Sequence, residues 1–180
     1  MADIVLCATS PLGGRQVTLA GCDLREVDNV ALTSLAVPLG NDKAFAKTLK
    51  DKLGLARPES RISTTSKTAR ALSLTPDQVL VLHDPALTID VTSQAYTTDQ
   101  TGNWCILELS GPNARDALSR ICPLDLDPSA FPVDASARTV MEHLGAIIIC
   151  IGKDSYLLLS ASSSAESFWH AVEVSLHNVA

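Results

Sequence analysis

A chain of 180 residues, 46% of them hydrophobic and 19% charged, can bury a sizeable core, and its length predicts one domain with room for two small lobes. The net charge of −6 excludes a general nucleic-acid-binding protein, since such proteins carry an excess of Lys and Arg to neutralise phosphates. No apolar run reaches membrane-spanning length, the longest being Leu144 to Ile151, so no membrane association is expected.

The amino terminus and the cysteines indicate a soluble, cytoplasmic protein. The apolar run Ile4 to Ala8 follows no basic segment and is too short for a signal peptide. The five cysteines are odd in number and contain no C-x-x-C pair, so neither a disulfide framework nor a zinc site is favoured. We expect buried, reduced thiols at Cys7, Cys22, Cys105, Cys122 and Cys150.

The first part of the chain predicts two strands and a helix. Arg15 to Ala20 alternates apolar and polar residues and predicts a strand, Asp23 to Asn29 predicts a polar loop, and Val30 to Leu39 predicts a second strand. A helix is predicted from residue 41 or 42 to Gly54, a residue type that commonly ends helices. Its apolar stripe has helical spacing and consists of Phe45, Ala46, Leu49 and Leu53.

Two short strands follow a connector. They run from Ala69 to Leu74 and from Gln78 to His83, with a turn at Thr75-Pro76-Asp77 between them. A short helix is predicted after Asp84-Pro85, although the β-branched residues of this segment prefer strands. Tyr96 to Leu109 then predicts a hairpin that turns at Thr101-Gly102.

The stretch from Trp104 to Phe131 is the clearest packing unit in the sequence. Ile106 to Leu109 predicts a buried strand, and Ser110-Gly111-Pro112 predicts a helix start with Pro at the first helical position. Cys122-Pro123 predicts the helix end, because proline cannot continue a helix. The apolar face of this helix consists of Ala114, Ala117, Leu118 and Ile121.

The last part of the chain predicts three strands and a helix. Ala137 to Glu142 and Gly145 to Ile151 predict strands, and the second is apolar on both faces, as expected of a strand inside a sheet. A turn at Lys153-Asp154 leads into a strand from Tyr156 to Ser160. A serine among residues 162–164 then begins a final helix with a buried stripe of Ala165, Phe168, Trp169, Val172 and Leu176.

Charge is distributed unevenly along the chain. Residues 42–70 hold eight basic and three acidic side chains, a net charge of +5, which leaves −11 for the rest. A solvated helix face is the simplest explanation, and a patch that faces an acidic partner or an anionic ligand is the alternative. The eight basic residues are Lys43, Lys47, Lys50, Lys52, Arg57, Arg61, Lys67 and Arg70.

No motif in the sequence predicts catalysis, cofactor binding or a metal site. The chain contains no G-x-G-x-x-G, no phosphate-binding P-loop and no G-x-S-x-G nucleophile elbow. Glu142 and His143 are adjacent, which on a strand directs them to opposite faces. His170 and His177 lie two helical turns apart, whereas paired metal ligands on a helix usually sit at i and i+4.

Three further groups have a structural reading and a functional one. Asp125 and Asp127 fit a solvated loop better than a paired-carboxylate site. Residues 11–15, Pro-Leu-Gly-Gly-Arg, fit a turn better than an anion-binding nest. The aromatic residues Trp104, Phe131, Tyr156 and Trp169 fit core or interface anchors better than ligand-stacking platforms.

Several motifs occur together in the second half of the chain. S-G-P-N-A-R precedes C-P-L-D-L within Leu107 to Pro132, A-R-T-V-M-E-H-L-G covers Ala137 to Gly145, and a Ser-rich helix start lies within Tyr156 to Ala171. With Y-T-T-D-Q-T-G-N-W (Tyr96 to Trp104) and R-A-L-S-L-T-P-D-Q-V-L (Arg70 to Leu80), they resemble the gamma subunit of heterotetrameric sarcosine oxidase. The resemblance covers roughly residues 69–171, and residues 1–68 match in character more than in letters.

The resemblance implies an α+β fold of two ferredoxin-like halves with antiparallel sheets, similar to the folate-binding domains of the glycine-cleavage aminomethyltransferase. The two lobes would span about residues 15–83 and 96–176. It also implies a bacterial complex of alpha, beta, gamma and delta chains that oxidises sarcosine to glycine, with electrons passing from FAD to FMN and to oxygen. Hydrogen peroxide forms, and the one-carbon unit leaves as formaldehyde or is captured on tetrahydrofolate.

By the same resemblance, the FAD, FMN, NAD, zinc and tetrahydrofolate of the complex belong to other subunits. The chain is then expected to hold no catalytic, cofactor-binding or metal-binding residue, and to act as a structural partner of the alpha, beta and delta subunits. A stand-alone folate-binding protein is the alternative, although the K-G-C-Y-x-G-Q-E stretch of such relatives is missing. An independent transferase and a subunit of a dimethylglycine-oxidising complex are further alternatives.

Overall fold

The computed structural model describes residues 9–180, which form eleven strands and three α-helices. In chain order these are β1 (Gln16–Leu19), β2 (Cys22–Glu26), β3 (Ala31–Ala36), α1 (Asp42–Leu53), β4 (Thr64–Thr65), β5 (Ala69–Thr75), β6 (Gln78–His83), β7 (Tyr96–Asp99), β8 (Trp104–Ser110), α2 (Ala114–Ile121), β9 (Ser136–Met141), β10 (Leu144–Gly152), β11 (Ser155–Ala161) and α3 (Ala165–His177). Cys7 and the apolar run of residues 4–8 lie outside the described residues.

The strands form two antiparallel sheets. The first sheet has five strands in the order β4-β5-β6-β3-β7, and the second has six in the order β1-β2-β8-β11-β10-β9. Every described strand pair is antiparallel. The prediction of an α+β fold with antiparallel sheets is therefore confirmed.

The core has three layers of apolar contact. Helix α1 packs on the outer face of the five-stranded sheet through Phe45, Leu49 and Leu53. Helices α2 and α3 pack on the outer face of the six-stranded sheet, where Phe168 and Trp169 are fully buried. The inner faces of the two sheets pack on each other, and this contact buries Leu32, Leu72, Leu80, Leu82, Ile106, Ile147, Ile149 and Leu159. The result is a four-layer helix-sheet-sheet-helix arrangement.

The apolar patterns of the three helices are confirmed. Gly54 ends α1 in the left-handed conformation, and its N–H is bonded to the carbonyls of Leu49 and Lys50. Cys122 ends α2 in an extended conformation before Pro123. Helix α3 follows a short 3-10 turn over Ser162–Ser164, and the whole predicted stripe from Ala165 to Leu176 is buried.

Four local predictions are wrong. Residues 23–26 of the segment Asp23 to Asn29, predicted as a loop, belong to strand β2, because Cys22 and Leu24 alternate with polar residues and face the core. No helix occurs between residues 84 and 95, since Asp84 accepts a hydrogen bond from the Ala86 N–H in a local turn. The predicted start of α2 is early, because Ser110 still belongs to β8 and the helix begins at Ala114.

The predicted hairpin from Tyr96 to Leu109 is the fourth error. Strand β7 pairs with β3 in the five-stranded sheet, whereas β8 pairs with β2 and β11 in the other sheet. Between them lies a 3-10 turn, residues Thr101–Asn103, where the Leu32 N–H donates to the Thr101 hydroxyl at 3.1 Å. The segment is therefore a crossover between sheets.

The sheets also draw on distant parts of the chain. Strands β1 and β2 lie in the same sheet as β8 to β11, so the six-stranded sheet combines residues 16–26 with residues 104–161. Strand β7 lies with β3 to β6 in the other sheet. The lobe boundaries at about 15–83 and 96–176 stay a prediction. Strands β1 and β2 come from the first predicted lobe but lie in the sheet of the second, and β7 comes from the second but lies in the sheet of the first.

A polar cluster joins the two sheets at one edge. The Arg70 guanidinium on β5 donates to the Asp134 carboxylate at 2.6 Å and to the Ser63 hydroxyl at 2.7 Å. The Ser63 N–H donates to the Asp134 carbonyl at 2.7 Å, and Ile62 and Ala135 form an isolated β-bridge. This cluster holds the start of β9 against the segment that precedes β5.

Candidate functional site

Two exposed apolar side chains lie at the same end of the five-stranded sheet. The Leu39 side chain is fully exposed and Tyr96 is 73% exposed. Tyr96 pairs with Ala36 at the end of β3, and Leu39 follows that strand by three residues. The Asn41 amide donates to the Gln94 carbonyl at 3.4 Å, which ties the two segments together beside the start of α1. We call Leu39, Tyr96 and β7 the β7 surface.

Strand β7 adds an open edge to this surface. It pairs with β3 on one side, and no described strand pairs with its other side. All four of its residues are exposed. An unpaired edge offers backbone N–H and C=O groups to another chain, and native proteins usually cover or blunt such edges. The β7 surface is thus suited to a partner protein.

The basic segment divides into paired and unpaired side chains. Lys52 forms an ion pair with Asp90 at 2.7 Å, and Arg57 pairs with Asp42 and donates to the Pro76 carbonyl at 2.8 Å. Arg70 is occupied by the cluster at Asp134. Among residues 9–180, no ion pair occupies Lys43, Lys47 or Lys50 on the exposed face of α1. These three lysines carry positive charge on α1, which begins three residues after Leu39.

The histidines occupy separate places in the structure. His83 is buried, and its ring nitrogens lie 3.0 Å from the Thr33 hydroxyl and 2.9 Å from the Asp84 carbonyl. Glu142 and His143 form the turn between β9 and β10, 4.0 Å apart and largely exposed. His170 and His177 are exposed on α3. Within residues 9–180, no group of three or more His, Cys, Asp or Glu side chains is placed to hold a metal ion.

The two carboxylates of the 125–127 segment serve local turns. Asp125 accepts a hydrogen bond from the Asp127 N–H at 2.9 Å. Asp127 accepts from the Ser129 N–H at 2.9 Å and from its hydroxyl at 2.6 Å, and these bonds hold the pKa of Asp127 below its usual value. This arrangement confirms the solvated-loop interpretation.

The Gly-rich loop at residues 10–14 binds an anion that belongs to the protein itself. The Glu26 side chain at the end of β2 is 5% exposed, and it accepts hydrogen bonds from the Leu12 N–H at 3.0 Å and the Gly14 N–H at 2.7 Å. The Ser10 hydroxyl donates to the same carboxylate. Gly13 and Gly14 both adopt positive φ; the Gly13 N–H donates to the Ser10 carbonyl at 3.3 Å, whereas the Gly14 N–H points to Glu26. The loop is therefore a turn whose N–H groups also form an anion-binding nest, and the group bound in it is the Glu26 carboxylate.

Glu26 also lines a cleft of about 400 Å³. The apolar side of the cleft is formed by Val27, Leu32, Trp104 and Ile106, and Asp28 lies on the polar side. Because the Glu26 carboxylate accepts three hydrogen bonds from the 10–14 loop, its role in this cleft is structural.

The described cysteines and the four aromatic residues agree with their structural interpretations. Cys22, Cys105, Cys122 and Cys150 are free and buried, and burial raises the pKa of Cys105 from 9.0 to about 12. Phe131, Tyr156 and Trp169 belong to the core between the six-stranded sheet and its helices. Trp104 lies half-buried against the contact between the sheets.

Sequence reasoning missed both anchors of the β7 surface. Tyr96 is the only apolar residue of a strand whose other residues are Thr97, Thr98 and Asp99, which was the signal that this aromatic ring lies outside the core. Leu39 lies between Pro38 and Gly40, two residues that end a strand and leave the intervening side chain without a sheet neighbour.

The four-layer arrangement is the fold of an aminomethyltransferase-like protein. A chain of the heterotetrameric sarcosine oxidase from Corynebacterium sp. U-96, solved in complex with pyrrole 2-carboxylate, matches 88% of this chain and 85% of its own length with a TM-score of 0.78 and 24% identity. The glycine cleavage system aminomethyltransferase T from Bartonella henselae matches 86% of this chain and 46% of its own length with a TM-score of 0.59 and 12% identity. At these identities the matches establish the fold alone.

The sequence narrows the class to one family. The model of the sarcosine oxidase gamma subunit family matches residues 39–176, and the chain belongs to this family. Sarcosine oxidase subunit gamma from Corynebacterium sp. (strain U-96) is 27% identical over 171 residues, which cover 91% of this chain and 80% of that relative. The subunit gamma of Corynebacterium sp. (strain P-1) is 27% identical over 124 residues, and the chain spans 61% of its length. The resemblance drawn from the motifs is confirmed.

No helix in residues 9–180 is long and apolar enough to cross a membrane.

Proposed function

We propose that this chain is a non-catalytic structural subunit of a flavin-dependent, heterotetrameric sarcosine oxidase. In that complex, sarcosine and oxygen give glycine, hydrogen peroxide and formaldehyde or methylene-tetrahydrofolate. The chemistry and its FAD, FMN, NAD, zinc and tetrahydrofolate lie on the alpha, beta and delta subunits. The observation that carries the proposal is the family match over residues 39–176.

Two features of the described residues support a structural role. Three of the side chains that could carry acid-base chemistry, His83, Glu26 and Asp127, are held in hydrogen bonds within the chain. Within residues 9–180, the β7 surface combines exposed apolar anchors with an unpaired strand edge, and α1, which carries three unpaired lysines, begins three residues after Leu39. We infer that an acidic surface of a partner subunit covers the β7 surface, since aromatic and aliphatic anchors commonly form the centre of an interface.

Co-purification tests this proposal. The chain carries an affinity tag and is expressed alone or with the alpha, beta and delta chains of the same organism. We expect all four to purify together and the chain alone to self-associate, because an interface without its partner exposes an apolar patch. A monomeric chain that ignores the other three would contradict the proposal.

Substitutions locate the interface. Leu39→Asp with Tyr96→Asp places two charges among the anchors and is expected to weaken assembly at least about tenfold, since hot-spot anchors are each worth roughly 2 kcal/mol or more. Both side chains are exposed, so the fold should be unaffected. The matched control is Val140→Asp, which changes an exposed apolar residue (44%) on β9 in the other sheet. Equal assembly by both variants would place the interface elsewhere.

Calorimetry with tetrahydrofolate tests the alternative of a stand-alone folate-binding protein. The structural-subunit proposal expects no heat of binding from the isolated chain. Tight, stoichiometric binding would favour the alternative even if the chain also assembled.

A further inference from the structure

A small pocket opens between the start of α2, the loop at residues 128–133 and the turn from β10 to β11. Its volume is about 280 Å³, near the lower end for small-molecule sites. Cys150 and Tyr156, which are cross-strand partners, line it and are 5% and 3% exposed. The apolar lining consists of Pro112, Pro128, Phe131, Pro132 and Val133. We call this cavity the Tyr156 pocket.

Two cations line the Tyr156 pocket. Arg115 lies in the first turn of α2, and Lys153 lies in the β10–β11 turn. The ion pairs found within residues 9–180 involve neither of them. Asp154 is the one carboxylate in the lining, so the charged side chains sum to +1. A singly charged anion balances this site, whereas Asp154 opposes a dianion such as phosphate.

The Tyr156 hydroxyl is a second, independent indication that the Tyr156 pocket binds a ligand. The side chain is almost completely buried, yet no hydrogen bond joins its hydroxyl to any residue in the described part of the chain. Cys150, Asp154 and Arg115 are the groups that act on it electrostatically, and all three line the pocket. Burial raises the pKa of Tyr156 to about 12, so the hydroxyl remains a donor at neutral pH. Within the described residues, the fully enclosed side-chain atoms without a partner belong to Gln94, Trp104 and Trp169, so the Tyr156 hydroxyl keeps some access to the pocket. The pocket is therefore where a hydrogen-bond partner can reach it.

We propose that the Tyr156 pocket binds a small monocarboxylic acid with a flat, apolar body. The carboxylate accepts hydrogen bonds from the Arg115 guanidinium and the Tyr156 hydroxyl, and the body lies against Phe131 and the surrounding prolines. This proposal stands apart from the structural role, because it concerns the face of the six-stranded sheet and its helices and the β7 surface lies on the other sheet.

Ligand-observed NMR titration with three related probes tests the charge requirement. Benzoate has the flat body and the carboxylate, benzamide keeps the shape without the charge, and benzylammonium reverses the charge. We expect saturable binding of benzoate to the full-length chain, alone or in its complex, and at least about tenfold weaker binding of the other two, as charge-assisted hydrogen bonds predict. Equal binding of benzoate and benzamide, or no saturable benzoate binding, would overturn the proposal.

Two substitutions test whether Arg115 and Tyr156 contact the carboxylate of the ligand. Arg115→Gln is expected to weaken benzoate about tenfold and to leave benzamide unchanged, and Tyr156→Phe is expected to weaken benzoate by a smaller factor of about three to ten. The matched control is Arg120→Gln, which removes a cation from the last turn of the same helix. Thermal unfolding checks that each variant folds. Benzoate binding that survives Arg115→Gln in a folded protein contradicts the assignment.

Discussion

The two sheets of this protein are covered in different ways. The six-stranded sheet is covered by two helices, α2 and α3, which bury Leu118, Phe168 and Trp169. The five-stranded sheet is covered by one helix, α1, and by residues 84–95, which contain no helix. Val91 and Ala95 from this segment are nonetheless buried against the same cluster as Phe45.

We call the six-stranded sheet with its two helices the self-contained side, and the five-stranded sheet with α1 and residues 84–95 the incomplete side. The backbone groups inside a helix are bonded within it, and α2 and α3 cover the six-stranded side with their apolar faces. A turn-rich segment depends on a few local bonds and side-chain contacts, such as the Lys52–Asp90 ion pair. The two most exposed large apolar residues in the described part of the chain, Leu39 and Tyr96 (73%), lie on this second side, whereas Val140 and Val174 on the other side are 44% and 39% exposed. We therefore expect a partner protein to bind the incomplete side, at the β7 surface.

The largest expected effect is at the joint between β8 and α2 on the self-contained side. Gly111 has a φ of 132°, and a Cβ there would lie 2.5 Å from the Gly21 carbonyl oxygen and 2.7 Å from the Cys22 Cα. Both are backbone atoms, so Gly111→Ala has to displace β2 or β8. We expect a loss of about 3 kcal/mol or more in the free energy of unfolding, measured by urea denaturation.

The matched control for this joint is Gly145→Ala in β10. Gly145 has no atom within 4 Å of a Cβ position, and its backbone is not left-handed. This change is expected to stay within about 0.5 kcal/mol. Equal urea midpoints for Gly111→Ala and Gly145→Ala would contradict the prediction, because they would show that the backbone around Gly111 can move to accept a Cβ.

The second prediction uses the cysteines, all four of which lie on the six-stranded side within the described residues. Burial raises the pKa of Cys105 from 9.0 to about 12. Above pH 9 the thiol ionises in the unfolded chain while it stays protonated in the folded one, so stability is full below pH 9 and is lost progressively towards pH 12. Cys105→Ala should reduce this loss.

Urea denaturation at pH 7.5 and pH 10.5 measures the effect. The difference between the two free energies of unfolding should be smaller in Cys105→Ala than in the unmodified chain. Hydrogen exchange should also find the alkaline loosening on the six-stranded side first. An equal pH dependence in both proteins would mean that the Cys105 thiol ionises as readily in the folded state as in the unfolded state.

The sequence was sufficient for elements whose pattern is local. The stripes of α1 and α3, the glycine that ends α1 and the apolar strand β10 all follow from spacing and residue type. The motif resemblance supplied the fold, since the likeness covers roughly residues 69–171, which hold most of the six-stranded sheet. The pairing of strands depends on residues far apart in the sequence. Because β7 and β8 are close in sequence and separated by a turn motif, they were predicted to pair with each other, whereas β7 pairs with β3 and β8 with β2 and β11.

The functional features depend on contacts between distant residues. The 10–14 loop could be predicted as a turn, but its ligand, Glu26, is identified only when β2 is placed beside it. The Tyr156 pocket combines residues 112–115 with residues 128–133 and 150–156, and no spacing in the sequence relates the three. The exposure of Leu39 likewise follows from how the chain leaves β3, which residue type alone does not determine.

The smallest expected effect addresses the incomplete side directly. Lys52 on α1 lies 2.7 Å from the Asp90 carboxylate, and this ion pair is the charged contact between α1 and residues 84–95. Both side chains are largely exposed, so Lys52→Ala should hardly change the midpoint of global unfolding. The segment itself should open more often, because it loses a charged contact with α1 and keeps its apolar contacts through Leu87, Ile89, Val91 and Ala95 and the Asn41–Gln94 bond.

Hydrogen exchange measured by mass spectrometry resolves this local opening. In Lys52→Ala, amides in residues 84–95 are expected to exchange about twofold faster while those of α3 keep their rates. Lys50→Ala is the control, since it removes a lysine from the same helix turn that forms no ion pair within the described residues. Unchanged exchange in Lys52→Ala would mean that Val91 and Ala95 suffice to hold the segment, and the two sides of the molecule would then be equally closed despite their different covers.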